Sequence, residues 1–380
     1  MEFMKKTENP PAQIGIMTYY RNGSYGAALQ AYALQTYLKQ IGYVSKLIRY
    51  AHQWPPPLTV SAFLRTRSPS SLYNKLLSLL HRRFTDRFAD EFIDETDCYN
   101  TKASLTMGVS GFKVLICGSD QIWNPWVYEQ SNFFDDNYFL SFAPDSCAKI
   151  SYAASFGRAE LSENYKQEIK PLLAQFNSIS VREASGVRLL AGMGIDAEQV
   201  LDPSFLLGKE AFLNIAEVRE KHCRGILVFI LGSERSVCLH VAERLSKISG
   251  EQCNVISPAL TDLWKTWVTP CFPTVNQWLG MFSEASFVFT DSFHGTVFSI
   301  VFNKPFVLLL RDGGRKGRNS RLISLLTDLG LENRMIDKYD AEVIDRLHNE
   351  KIEWEPVMNK LDGFTLKSRS YLKKSLERLV

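Results

Sequence analysis

The stretch TDSFHGTVFSIVFNKPF, residues 290–306, decides how the rest of the chain is read. An apolar run over 286–289 ends in Asp291-Ser292-Phe293-His294-Gly295, and an apolar pattern with helical spacing follows. That order predicts a buried strand delivering an imidazole to the entrance of a helix. Ligands of open α/β sheets bind at the carboxyl ends of strands, and a helix start offers unpaired N–H groups that suit anions. Histidine is also the side chain best suited to exchange a proton near neutral pH. A capping motif with a hydrogen-bonded structural histidine fits the same spacing, so both readings stay open here.

The alternation extends in both directions. Apolar strand signals at 14–19, 44–50, 113–117, 150–155 and 178–181 precede a break at Asp202-Pro203, and signals at 225–231, 253–257, 286–289 and 306–310 follow it. Helical periodicity lies between them, notably over 27–40 and 163–176. Near-continuous apolar strands alternating with helices predict parallel sheets covered on both faces. The expected fold is therefore α/β, with two Rossmann-like domains facing a cleft. The expected boundaries are 1–205 for the first domain, 206–355 for the second and 356–380 for a C-terminal helical segment, amphipathic over 366–380, that crosses back to the first domain.

With 380 residues, 45% hydrophobic and 22% charged, the composition is that of an ordinary globular protein of two or more domains. A net charge of +3 is far from that of a dedicated nucleic-acid binder. Seven cysteines without CxxC pairs argue against a disulfide framework or a zinc site and fit a reducing compartment. The first residues lack the apolar core of a signal peptide, so the expected location is cytoplasmic, with peripheral contact at the inner face of the membrane left open. The segment 60–99 bears on that contact. It carries Arg65, Arg67, Lys75, Arg82, Arg83 and Arg87, with Phe84, Phe88 and Phe92 at helical spacing. A helix packing its Phe face and solvating its charges is the favoured reading; a basic surface for anionic headgroups or diphosphates is the other.

Four loops at strand ends carry candidate chemistry. Asn22, Tyr25, Gly26 and Gln30 surround a glycine-rich turn before a helix, which is neither GxGxxG nor a Walker loop. Ser119, Asp120, Gln121, Trp123 and Asn124 place a carboxylate, amides and an indole in one loop, a pattern suited to sugar hydroxyls and a sugar face. Arg182 follows a strand, where it can grip a carboxylate or phosphate through two hydrogen bonds or merely pair with Glu183. Arg311, Arg315 and Arg318 sit in a basic, glycine-rich loop that fits an anion or plain solvent. Asp202-Pro203-Ser204 reads mainly as a structural hinge.

At these segments the chain resembles the polysaccharide pyruvyltransferase family. The resemblance rests on SYGAALQAYAL, GSDQIWNP, SVREASG, LDPSFLL and TDSFHGTVFSIVFNKPF, in that order, over roughly residues 13 to 310. It implies a glycosyltransferase B-like fold and transfer of the pyruvyl group of phosphoenolpyruvate onto two sugar hydroxyls as a cyclic ketal, with no cofactor or metal. It places the catalytic histidine at His294 and an anion-binding arginine at Arg182. Some branches carry Arg-Leu directly before the histidine, with that arginine gripping the donor; this chain has Ser292-Phe293. The donor, expected at Arg182, Ser292, Phe293 and Gly295, must then find another cation, for which Lys304, Arg311, Arg315 and Arg318 are candidates.

The implied chemistry assigns His294 as the acid that protonates the donor's methylene carbon. Asp291 would orient its ring, and Asp120 would position or deprotonate an acceptor hydroxyl. The acceptor, a sugar that is lipid-diphosphate-linked or free, would meet Asn22, Tyr25, Gly26, Gln30, Ser119, Gln121, Trp123 and Asn124. Two other readings remain: a nucleotide-sugar glycosyltransferase of the same shape, and a non-catalytic polysaccharide-assembly factor that has lost donor binding.

Overall fold

A computed structural model describes residues 13–51, 68–131, 133–218, 224–232, 235–311 and 316–379. The first sheet runs in the order β2-β1-β3-β4, from β1 (Ile14–Met17), β2 (Ser45–Leu47), β3 (Val114–Cys117) and β4 (Ala148–Ser151). Single bridges from Ile150 to Ser178 and from Ala154 to Val181 continue it into the short pair β5 (Ser180–Val181) and β6 (Glu198–Gln199). All these pairings are parallel. Strand β4 stops earlier than its apolar run predicts because Ala153 takes a left-handed φ of 55° and its amide turns to Ser180 Oγ.

The second sheet holds β7 (Gly225–Phe229), β8 (Cys253–Ile256), β9 (Val268–Cys271), β10 (Ala285–Thr290), β11 (Phe306–Leu309) and β12 (Met335–Ile336). Its order is β12-β11-β10-β7-β8-β9, also parallel throughout. This is the doubly wound Rossmann arrangement, in which strand order reverses between β7 and β10. In the first sheet it reverses between β1 and β3. Ligands of such sheets bind at the carboxyl side of these reversals, so the topology nominates the loops after β1, β3, β7 and β10.

Those loops meet across the domain interface. Tyr25 starts the helix Tyr25–Gln40, stacks on Trp278 and donates from Oη to the carbonyl of Pro273. The C-terminal helix Trp354–Glu377 packs back on the first sheet. Tyr371 Oη donates to Ser151 O, Ser178 Oγ donates to Ser375 Oγ, and the Leu201 amide donates to Ser368 Oγ. The helix Pro69–Phe92 buries Phe88, half-buries Phe84 and Phe92, and leaves Arg82, Arg83 and Arg87 in solvent, as the favoured reading of that segment requires. Arg65 and Arg67 lie outside the described residues.

Candidate active site

Strand β10 ends at Thr290, whose Oγ1 donates to Phe229 O on β7 and accepts from the Ser292 amide. These bonds turn the chain into the helix Phe293–Val301, which Ser292 caps by accepting from the Gly295 amide. Every residue of that helix is buried, as expected of a helix apolar all round. Its first turn therefore holds the His294 ring rigidly. From the other domain, Gly26 lies against that ring, and a Cβ on Gly26 would overlap His294 Cγ. The two helix starts can approach only because residue 26 has no side chain.

His294 Nε2 is buried, has no hydrogen-bond partner, and lies 3.8 Å from Asp202 Oδ2. Asp202 is the centre of the cluster. Its Oδ2 accepts from Arg182 Nη1 at 2.7 Å and from Ser119 Oγ at 3.0 Å, and its Oδ1 accepts from the Ser204 amide at 3.0 Å. Burial alone would raise this carboxyl. His294, Arg182 and the Ser204 amide more than offset that and hold it well below the ordinary carboxylate range. Asp202-Pro203 is thus more than a hinge.

Arg182 keeps Nε and Nη2 without partners although it is only 5% exposed. Asp120 Oδ1 stands 3.9 Å from Nη2, an ion-pair separation longer than a hydrogen bond. Asp120 holds a left-handed backbone at φ 76°, a conformation aspartate tolerates in tight loops and one that clusters at functional sites. The neighbouring Glu183 is fully buried. Its Oε1 accepts from Ser155 Oγ and the Phe156 and Gly157 amides, and burial raises its carboxyl despite the nearby arginines.

Two guanidiniums lie against the Phe293 ring. Arg182 lies 4.1 Å and Arg321 5.4 Å from its ring centroid, and the His294 ring meets it edge-on. With its amide oxygen turned toward Arg321, Gln121 accepts from Nη1 at 2.9 Å and Nη2 at 2.5 Å. Sequence reasoning stopped at the glycine-rich loop and missed Arg321, which sits one turn further along the helix Lys316–Leu329. The available signal was a cation one helical turn after Arg318 at the start of a helix, three residues being a same-face spacing.

Several expected site residues do other work. Asp291 does not orient the imidazole: its carboxylate accepts from the Leu231 and Gly232 amides and pairs with Arg311, tying the loops after β7 and β11 to β10. Asp202 occupies the place expected for it. Arg311 is consequently a neutralised cation. Lys304 lies beyond the far end of the helix Phe293–Val301, among Glu284 and Lys209, so it is remote from the cleft. Ser292 and Gly295 use their polar groups on each other as a cap. Arg315 lies outside the described residues, as does the side chain of Arg318.

On the first-domain side, Trp123 is fully buried, donates from Nε1 to Tyr138 O and stacks on Phe139. It offers no sugar platform, because residues 133–139 fold over it. Gln30 is buried and its amide ties Thr18, Tyr19 and Ala27 together. Tyr25 is an interdomain strut, Gly26 a clearance for the imidazole, and Ser119 a donor to Asp202. Asn124 packs its side-chain amide against that of Gln121, and its Oδ1 accepts from the Trp126 amide. Asn22 is exposed, and with Gly23, Asn74, Ser78 and His81 it lines a groove of about 210 Å³.

A family model described as polysaccharide pyruvyl transferase matches residues 25–313. No curated protein sequence matches the chain. Among solved structures, the chain is similar to Staphylococcus aureus MnaA solved with UDP, at 10% identity and TM-score 0.55, with 97% of each chain covered. It is similar also to a UDP-N-acetylglucosamine 2-epimerase from Rickettsia bellii, at 10% identity and TM-score 0.52, with 96% of each covered. A further UDP-N-acetylglucosamine 2-epimerase gives 13% identity and TM-score 0.51 over 96% of this chain and 95% of that one. At such identities these likenesses speak to the two-domain fold.

Proposed function

The chain belongs to the polysaccharide pyruvyl transferase family, and on that premise we propose that it moves the pyruvyl group of phosphoenolpyruvate onto two hydroxyls of a sugar as a cyclic ketal, during assembly of a surface or capsular polysaccharide. The observation that carries this reading is the set of unpartnered buried donors, His294 Nε2 with Arg182 Nε and Nη2, gathered where the two strand-order reversals face each other. A proton donor beside cations with unused N–H groups is what an anionic enol ether requires.

In this reading the imidazolium of His294 protonates the methylene carbon, leaving an oxocarbenium-like centre at C2. Asp202 stabilises the imidazolium and holds Arg182, whose free N–H groups face the donor's charge. One sugar hydroxyl adds to C2, the C2–O bond to phosphate breaks, and the second hydroxyl closes the ring. Of the two hydroxyl protons released, one replaces that given to the methylene and the other leaves with phosphate. Asp120 positions the attacking hydroxyl. The second domain and its His294 helix take the donor side, and the first domain with the Asn22 groove takes the acceptor side.

We place this reaction on the cytoplasmic side in peripheral contact with the membrane. Leu72, Leu76 and Leu79 form an exposed row on the helix Pro69–Phe92 with exposed Arg82 and Arg83 beside it, the composition of an interfacial helix. Among the described residues no helix is long and apolar enough to cross a membrane.

The test is incubation with phosphoenolpyruvate and a panel of free and lipid-diphosphate-linked sugars, read as phosphate release and as the mass gain of a pyruvyl ketal. Turnover of a nucleotide-sugar with nucleotide release, and none with phosphoenolpyruvate, would replace the proposal with glycosyl transfer.

A further inference from the structure

Two guanidiniums at one aromatic ring need an explanation that packing does not provide. Arg182 has a counter-charge in Asp202. Arg321 is hydrogen-bonded only to the neutral amide of Gln121, with the carboxylates of Glu183 and Asp120 near enough to act on it through space but not bonded to it. Its Nε is buried and unpartnered. Removal from water and the nearness of Arg182 outweigh the pull of Glu183 and Asp120 and push Arg321 down to about 10, still charged at neutral pH. A fold gains little by holding two guanidiniums this close with Arg321 Nε and Arg182 Nε and Nη2 left unspent. An anion arriving between them would satisfy both.

We propose that Arg321 is a donor-binding residue, forming with Arg182 a two-cation clamp for a small ligand that carries two anionic groups, a carboxylate and a phosphate, on neighbouring bonds. The identity of that ligand rests on the pyruvyl-transfer reading. In phosphoenolpyruvate both groups sit on C2, so fixing them on guanidiniums flanking Phe293 fixes the plane of the enol. The methylene is then presented to His294, whose ring meets Phe293 edge-on. Arg321 also supplies the cation that Ser292-Phe293 does not, from a helix that sequence order places beyond the basic loop.

The clamp makes a prediction that a structural role would not. In the absence of ligand, Arg321→Gln relieves like-charge repulsion, so its melting temperature equals or exceeds that of the wild type. Its affinity for phosphoenolpyruvate by calorimetry without acceptor falls about 10- to 100-fold, the worth of a charge-assisted hydrogen bond. Arg321→Lys keeps charge but loses the fork, and falls between the two. In turnover the change appears in the KM for phosphoenolpyruvate more than in kcat. Wild-type affinity in Arg321→Gln overturns the proposal, as does a large loss of thermal stability in both variants, which would make Arg321 a structural residue. Inorganic phosphate and pyrophosphate serve as independent probes. If wild type binds these in an Arg321-dependent way but ignores phosphoenolpyruvate, the clamp stands and the pyruvyl donor falls. If wild type binds none of the three, both fall.

Discussion

Replacing Asp202 tests the electrostatic centre of the site most directly. Its carboxylate is almost wholly buried and receives three hydrogen bonds, from Arg182, Ser119 and the Ser204 amide, with His294 Nε2 at 3.8 Å. Asp202→Ala strands the Arg182 guanidinium without its counter-ion, and removing one partner of a buried pair costs about 3–5 kcal/mol. Asp202→Asn is milder. Arg182 and Ser119 both donate to Oδ2 while Ser204 donates to Oδ1, so an amide must set its NH₂ against one donor, whichever way it turns. One bond and all charge assistance are lost, roughly 2–3 kcal/mol. The sign with pH follows from a folded carboxyl held below its ordinary value of 3.8. The stability it contributes is present above that value and drains away as pH falls through the lower folded one. Urea unfolding from pH 8 to pH 3 should show both variants weaker than wild type at pH 7, with the gap closing below pH 4. An Asp202→Ala protein that unfolds at the wild-type urea concentration at pH 7, or a gap that stays constant through the acid range, would refute the reasoning.

Turnover should fall about 10²–10⁴-fold in a folded His294→Gln enzyme if His294 is the acid; phosphate release near the wild-type rate would reduce it to a cap. Arg182→Lys should lose about 2–4 kcal/mol of transition-state stabilisation despite keeping its charge, and unchanged kinetics at saturating phosphoenolpyruvate would count against the assignment. Gly26→Ala should displace the imidazole, since the new methyl overlaps His294 Cγ; the expected result is a stability cost of about 1–3 kcal/mol from overpacking with a far larger loss of turnover, and normal turnover would show the ring free to move. Leu72→Ser, Leu76→Ser and Leu79→Ser combined should abolish flotation with anionic vesicles while leaving phosphate release from a water-soluble acceptor intact. Equal flotation of the triple variant would remove this helix from the membrane contact.

The fold was legible because its signals are local. Each apolar run read as a strand holds one, and the polar break after several of them marked the carboxyl end where a site is built. The imidazole at the start of the helix Phe293–Val301 and the arginine after β5 followed from the same logic. The partners of those residues did not, and the reason is physical. Which carboxylate faces an imidazole depends on how two sheets seat against each other, and nothing near Asp291 in the chain reveals that the Leu231 and Gly232 amides claim it first. Asp202 looked like a turn residue because it is one: it caps the Ser204 amide while its other oxygen serves Arg182 and Ser119. Trp123 shows the converse error. An indole among polar residues at a strand end has the composition of a sugar platform, but residues 133–139 supply it with a carbonyl and an aromatic face. A polar loop's sequence says what chemistry is available; it does not say which side chains turn inward to hold the loop. Unpaired buried donors gathered at one place mark that division, and at the facing strand ends they are those of His294, Arg182 and Arg321.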